Sequence, residues 1–256
     1  MTVSLKAQVF QGKQVSHLSL VSGAVTPGKP FTLGIRLQLE PGWHTYWSTP
    51  GDAGTAMIVS LVNTPEYSIG PLQFPTPHKM VSEDLITYGY EDDVVFLVRV
   101  KPTSPAASHR LTFKINWLAC LSVCLPAEAT ITFDLDSLSP IQAKEDQKLL
   151  DKWTARLPQP GAGFNLDKCA ATYSVTKDNK YQVFIKFFQT APDTITDFFP
   201  DDQENMVIEY NSIHATSDGV VMTIEPSTVG APLEKLTGVA LIGTTGYDVS
   251  IPVSKQ

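Results

Sequence analysis

Long apolar runs are missing from this chain: the best candidate, Val94 to Val98, stops at Arg99. A helix that crosses a membrane needs roughly 18 or more consecutive apolar residues, so none is expected here. Basic charge is scarce too. With 19 Lys and Arg against 26 Asp and Glu the net charge is -7, which offers no electrostatic footprint for nucleic acid or an anionic membrane surface. No nucleic-acid partner is expected. The opening residues hold no basic stretch followed by a long apolar core, so no secretory signal is read there, and a mature domain cut from a longer precursor would begin this way. Cysteine is rare and odd in number, three in 256 residues, which argues against a scaffold made purely of disulfides.

What is present points to folded, β-rich structure. Hydrophobic residues make up 43% and charged residues 18%, enough to build cores rather than disorder. A chain of 256 residues suggests two domains, and 19 prolines and 16 glycines divide it into many short segments. Phe31, Leu33, Ile35, Leu37 and Leu39 alternate with polar or small residues, a half-buried strand that ends at Pro41-Gly42. Val94 to Val100, Leu111 to Ala119 and Thr130 to Leu135 read as further strands. Ser139-Pro140 then supplies an N-cap with proline at the first helical position, and Leu149, Leu150, Trp153 and Leu157 share a helical face. Pro158, Pro160 and Gly161 end it. Strands return around Tyr181 to Phe187, Val220 to Ile224 and Val249 to Val253. The expected architecture is all-β: two immunoglobulin-like β-sandwich domains, residues 1–138 and 161–256, joined by a helical linker at 139–160.

The chemistry lies in two of the cysteines. Leu111, Phe113, Ile115, Trp117 and Ala119 share one face of an incoming strand, and Ile131, Phe133 and Leu135 one face of an outgoing strand. Cys120 and Cys124 bracket the connection. On a straight strand residues four apart are separated by about 13 Å, whereas a disulfide needs Cα atoms within about 7 Å. The chain must therefore fold back between them if they are to pair. Such a bend at a strand end is exposed, and an exposed short-loop disulfide belongs with the labile class. A loop this short stabilises a fold only weakly as a staple. From spacing alone a redox pair, a structural bridge and a thiolate metal site all stay open. For the metal, His17, His44, His78, His109 and His214 show no ligand spacing to the pair. No Lys, Arg or His lies between Leu118 and Thr130 to lower a thiol pKa. The reduced pair should be slow with small disulfides and depend on docked partners for positioning.

The segment Cys120 to Pro126 resembles the cysteine pair in the N-terminal periplasmic domain of DsbD-like transmembrane reductases. It is most similar to the branch called suppressor of copper sensitivity protein B, in which three residues separate the cysteines and an apolar residue and proline follow. In DsbD itself the spacing is five. The stretch from Pro41 through Trp43, His44, Tyr46 and Trp47 to Gly54 carries the resemblance further, as do Phe74 to Pro77 and Tyr88 to Tyr90. The resemblance implies a periplasmic thiol:disulfide oxidoreductase domain of an inner-membrane protein. It would take electrons from the membrane domain of the same protein and hand them to thioredoxin-fold clients. Its only redox group would be the Cys120–Cys124 disulfide, with no separate cofactor. Cys124 would attack the client and Cys120 resolve the mixed disulfide. His44 and Tyr46 would stand beside the thiols. A lid would run from about Glu83 to Tyr90, with Glu83 and Asp84 acidic neighbours that raise a thiol pKa and Tyr88 the best shield. Trp43 and Trp47 read as core, Gly42, Gly51 and Gly54 as turn glycines, and Cys169 as a small buried residue. The rival functions are a copper module using the same thiols and a non-catalytic sandwich with a structural bridge.

Overall fold

The computed structural model describes residues 6–26, 28–104, 109–161, 169–187 and 195–256. Two compact units emerge. The first holds Met1–Pro50, Gly54–His78 and Gly89–Leu157, and the second Gly51–Ala53, Lys79–Tyr88 and Pro158–Gln256.

In the first unit one sheet runs in the order β1 (Lys6–Phe10), β2 (Lys13–Ser22), β3 (Phe31–Leu39), β9 (Asp93–Pro102) and β6 (Tyr67–Ile69). The other places β11 (Cys124–Asp134) at its edge, then β10 (Arg110–Cys120), then β4 (His44–Gly51), with β5 (Ile58–Leu61) also on β10. The end of β8 (Leu85–Glu91) continues this sheet. Alternation decides which faces meet. Leu111, Phe113, Ile115 and Ala119 of β10 are fully buried, as are Leu33, Ile35 and Leu37 of β3, and these inward rows form the core.

β9 departs from alternation, with every residue from Val94 to Val98 buried. The cause is α1 (Pro140–Thr154), which lies against β2 and β9 and covers the outer face of their sheet. A strand buried on both faces becomes a continuous apolar run. Ser139 caps α1 by accepting from the Gln142 N–H at 3.1 Å, and Pro140 opens it. Its buried face is Ala143, Asp146, Leu150 and Trp153. Asp146, 6% exposed, accepts from the Ser22 N–H at 3.3 Å and the Gln142 amide at 2.8 Å. The helix expected purely as a linker over 139–160 does join the two β-rich parts, but through Leu157 it packs with the first. Leu149 is only half-buried, and Leu157 lies beyond the last helical turn.

The second unit is built on one long sheet ordered β15 (Ile195–Pro200), β18 (Lys235–Ile242), β19 (Thr245–Lys255), β13 (Ala170–Val175), β14 (Tyr181–Lys186), β17 (Gly219–Pro226) and β16 (Met206–Ala215). The short β12 (Gln159–Pro160) runs parallel to β19. β15 and β16, at opposite ends of that order, lie against each other, so the sheet folds back on itself. Val183, Ile185, Val220, Met222, Ile224 and Ile251 fill the interior. The unit also takes in β7 (His78–Ser82) from Lys79 onward and the start of β8. The Ile86 N–H donates to the Asp52 carboxylate at 2.7 Å and the Asp52 N–H to the Ile86 carbonyl at 2.9 Å. The all-β fold, two sandwich-type units with a helix between, is the expected one. The boundary differs, because two short segments of the first sequence half belong to the second unit.

Candidate functional site

β10 and β11 form an antiparallel hairpin whose register runs from Arg110 opposite Asp134 to Cys120 opposite Cys124. Leu121, Ser122 and Val123 make the turn, in which the Leu121 N–H donates to the Val123 carbonyl at 3.1 Å. The chain thus folds back as the spacing requires. The cysteine Cα atoms are 4.1 Å apart and the sulfurs are bonded. The two ends are unequal: Cys120 is 1% exposed, while Cys124 lies on the exposed side of the tip. Leu121 and Val123 beside it are 54% and 42% exposed. Both apolar side chains flank the one reachable cysteine of the described residues.

β4 supplies the other wall. Cys120 pairs with His44 across the β10–β4 ladder, and the Thr45 hydroxyl donates to the Leu118 carbonyl at 2.8 Å. Strand alternation sends Trp43, Thr45 and Trp47 one way and His44 and Tyr46 the other. Trp43 and Trp47 are buried, Trp43 edge-on to Phe10. The Tyr46 hydroxyl stands 3.7 Å from the Cys124 Sγ and 3.2 Å from the His44 Nε2, and the two rings meet edge to face. Burial lowers the His44 pKa, with the charge of Glu91 opposing, and burial raises that of Tyr46. Near neutral pH the imidazole is therefore uncharged and the phenol keeps its proton. A hydroxyl that can donate to a sulfur anion lies at Cys124, and the His44 Nε2, in the tautomer that carries its proton there, can donate to the phenol oxygen behind it.

Two glycines of the Pro41 to Gly54 stretch do more than turn the chain. At Gly54, φ is +110°, and an added Cβ would fall 2.3 to 2.5 Å from three ring carbons of Tyr46. At Gly42, φ is +85°, with Leu121 Cδ1 at 3.2 Å from such a Cβ. Both lie against groups that line the disulfide. Sequence reasoning read them only as turn residues, and it sought thiol activators only along the strand that carries the thiols. The phenol comes from 78 residues earlier.

The segment expected as a lid, Glu83 to Tyr90, is divided between the two units after Tyr88. Tyr88 is fully buried in the second unit, with its ring 5.1 Å from Phe199 and 5.6 Å from Tyr210. Burial, aided by Asp197, Tyr210 and Asp52, pushes its pKa far above the usual phenol value. Glu83, with φ of +54°, and Asp84 form the exposed turn between β7 and β8. Tyr90, the end of that segment, donates its hydroxyl to the Pro75 carbonyl at 2.6 Å and meets Phe96 edge-on. The Phe74 to Pro77 stretch and Tyr90 are thus fastened to each other in the first unit. Cys169 is buried, and the disulfide leaves it out.

A groove of about 370 Å³ runs along β5, β10 and β11 behind the tip, lined by Ile58, Asn116, Leu118, Pro126 and Ala127 among others. Among the described residues no group of three or more His, Cys, Asp or Glu side chains is arranged to hold a metal ion, and no helix is long and apolar enough to cross a membrane.

A family model described as thiol:disulfide interchange protein DsbD, N-terminal, matches residues 8–136. In fold, the chain is similar to the N-terminal periplasmic domain of ScsB from Proteus mirabilis, seen in a crystal structure. The likeness covers 100% of both chains at a TM-score of 0.77 and 16% identity. A match to titin Ig tandem domains, at 9% identity over 94% of this chain and 97% of that one, has a TM-score of only 0.18. No curated protein matches the chain.

Proposed function

Because the chain belongs to the family of DsbD N-terminal domains, we propose that it is a thiol–disulfide exchange module acting as a protein-disulfide reductase, with Cys124 as the attacking sulfur and Cys120 as the resolving one. One observation carries this reading: the disulfide closes a hairpin tip at which Cys124 is exposed and Cys120 buried. A client disulfide reaches the first and not the second.

The steps follow from exchange chemistry. In the reduced pair, Cys124 loses its proton and its thiolate attacks one sulfur of a client disulfide. That bond breaks, the client's other sulfur leaves as a thiolate, and a mixed disulfide joins Cys124 to the client. The Cys120 thiolate then attacks the Cys124 sulfur and expels the client's second thiolate. The protein has lost two electrons, the client has gained them, and the two protons from the protein thiols match those taken up by the client. The Tyr46 hydroxyl, 3.7 Å from the Cys124 Sγ, supports the anion at the first step. A hydrogen bond to an ionised group is worth about 1.5–3 kcal/mol when well made, and it offsets the lack of a cation near the thiol.

Re-reduction runs the same steps backward, with a donor dithiol attacking at Cys124. The donor we propose is the membrane electron-transfer domain of the same full-length protein, and the acceptors are periplasmic thioredoxin-fold proteins. The exposed Leu121 and Val123 would meet the apolar rim around a client's own disulfide. The test is stoichiometric transfer. Reduced protein mixed with an oxidised thioredoxin-fold domain should convert one client disulfide to two thiols per molecule, and Cys124→Ser should abolish this. Equal transfer by Cys124→Ser would overturn the assignment.

A further inference from the structure

A chain of buried polar groups ends one residue from Cys124. The Trp117 indole N–H donates to the Ser16 hydroxyl at 3.1 Å, Ser16 donates to Gln8 Oε1 at 2.9 Å, and Gln8 Nε2 donates to the Leu125 carbonyl at 2.7 Å. Ser16 is fully buried, and Gln8 is 9% exposed. Glutamine is mostly an exposed residue, and placing one inside is tolerated only when its amide is hydrogen-bonded. Here each link uses a donor and an acceptor in a consistent direction. Strand ladders satisfy the backbone between neighbouring strands, and the Leu125 carbonyl that Gln8 reaches belongs to an edge strand.

What it joins is specific. Gln8 sits on β1, the edge of one sheet, and Leu125 on β11, the edge of the other. β11 has a strand neighbour on one side only, and Pro126, two residues past Cys124, adds no N–H donor to hold that end. In the oxidised protein the disulfide itself fixes the tip. Once it is reduced, the first residues of β11 depend on the ladder to β10 and on Gln8.

We propose that Gln8, braced by Ser16 and Trp117, is a positioning residue of the exchange site that holds the start of β11 against β10 in the reduced state and so keeps the two thiols at bonding range. This rests on the exchange reading above. The two-electron equilibrium with glutathione measures the consequence. Protein dithiol and oxidised glutathione give protein disulfide and two glutathione thiols, and the equilibrium constant is the effective concentration of one protein thiol at the other. A restraint that acts where the disulfide does not raises that constant. Gln8 and its partners touch neither sulfur, so they act through the strand alone.

The experiment is redox equilibration of the intact chain in glutathione buffers, read by thiol trapping, for the unaltered protein, Gln8→Met, Ser16→Ala and Asp146→Ala. Gln8→Met keeps the side chain's length and removes both hydrogen bonds. It should lower the constant about fivefold, what one net hydrogen bond supports, which is about 20 mV less negative at roughly 30 mV per tenfold. Ser16→Ala should shift it in the same direction by less, and it serves if Gln8→Met does not fold. Asp146→Ala removes buried hydrogen bonds beneath α1, away from the hairpin tip, and should destabilise the unit without moving the constant. Unchanged constants for both Gln8→Met and Ser16→Ala, or an equal shift from Asp146→Ala, would overturn the proposal. An unaltered protein whose disulfide never equilibrates with glutathione would instead count against the exchange function itself.

Discussion

Gly54→Ala should disturb the disulfide's surroundings without touching either cysteine. The added methyl would lie 2.3 to 2.5 Å from the Tyr46 Cε1, Cδ1 and Cζ, against a ring that is 3% exposed. Contacts that short force a side chain or the backbone to move, and overpacking of this kind costs about 1–3 kcal/mol. The backbone adds its own penalty, since φ of +110° suits glycine and charges other residues about 1–3 kcal/mol. Together these give about 2–4 kcal/mol once some relaxation is allowed. For a domain of this size each kcal/mol lowers the melting temperature by about 2–4 °C, so a fall of roughly 4–16 °C is expected. Gly12→Ala is the matched control, because φ is +76° there but nothing lies within 4 Å of the added carbon. It should show the backbone penalty alone. Calorimetry of both variants, beside their rates of reduction by a small dithiol, separates the two contributions. The Gly54 variant should also be reduced at an altered rate, because its Tyr46 hydroxyl has been driven from the sulfur. Equal melting points for the two variants would refute the claim that Gly54 exists to admit the Tyr46 ring.

Tyr46→Phe removes the hydroxyl beside Cys124. In a Cys120→Ser, Cys169→Ser background, the Cys124 thiol pKa should rise by about one unit, and its reaction with an aromatic disulfide at pH 7 should slow about threefold, since the more basic thiolate is scarcer but more nucleophilic. An unmoved titration curve would remove Tyr46 from the mechanism. His44 should make stability depend on pH. Its folded pKa lies below the ordinary value of 6.5 because burial disfavours the cation, so the unfolded chain binds the extra proton first. Stability should be full above about pH 6.5 and decline as the pH falls below it. His44→Gln should flatten the denaturation midpoints over that range, and an unchanged slope would contradict the burial argument. Thiol counting on denatured, unreduced protein should give one thiol, Cys169, and three after reduction. Three thiols before reduction would count against the Cys120–Cys124 bridge.

Much of the fold was legible because its physics is local. Period-two alternation located β3 over Phe31–Leu39, and Ser139-Pro140 located the start of α1. The fold-back between Cys120 and Cys124 followed from chain geometry once the two were taken to pair. The packing of α1 was less visible. Its sign in the sequence is the unbroken run Val94 to Val98, which says that both faces of β9 are covered but not by what. His44 and Tyr46 were found through family resemblance, since nothing in their own spacing ties them to thiols far along the chain. The division of the segment expected as a lid was hidden for a similar reason. Tyr88 and Tyr90 are neighbours in a strand, yet one packs on Phe199 and the other on Phe96, a division made by long-range packing. Gln8 could not be read at all, because a polar residue in a short edge strand gives no sign that its amide is buried.

The central claim is that Cys124 meets the client and Cys120 resolves. Removing the resolving thiol should leave the mixed disulfide stranded, and removing the attacking thiol should prevent it from forming. The decisive measurement mixes Cys120→Ser and Cys124→Ser proteins separately with an oxidised thioredoxin-fold client, followed by non-reducing electrophoresis and mass mapping of linked peptides. The account predicts a covalent complex through Cys124 in the first mixture and none in the second. A complex through Cys120 in the second mixture, with none in the first, would contradict it.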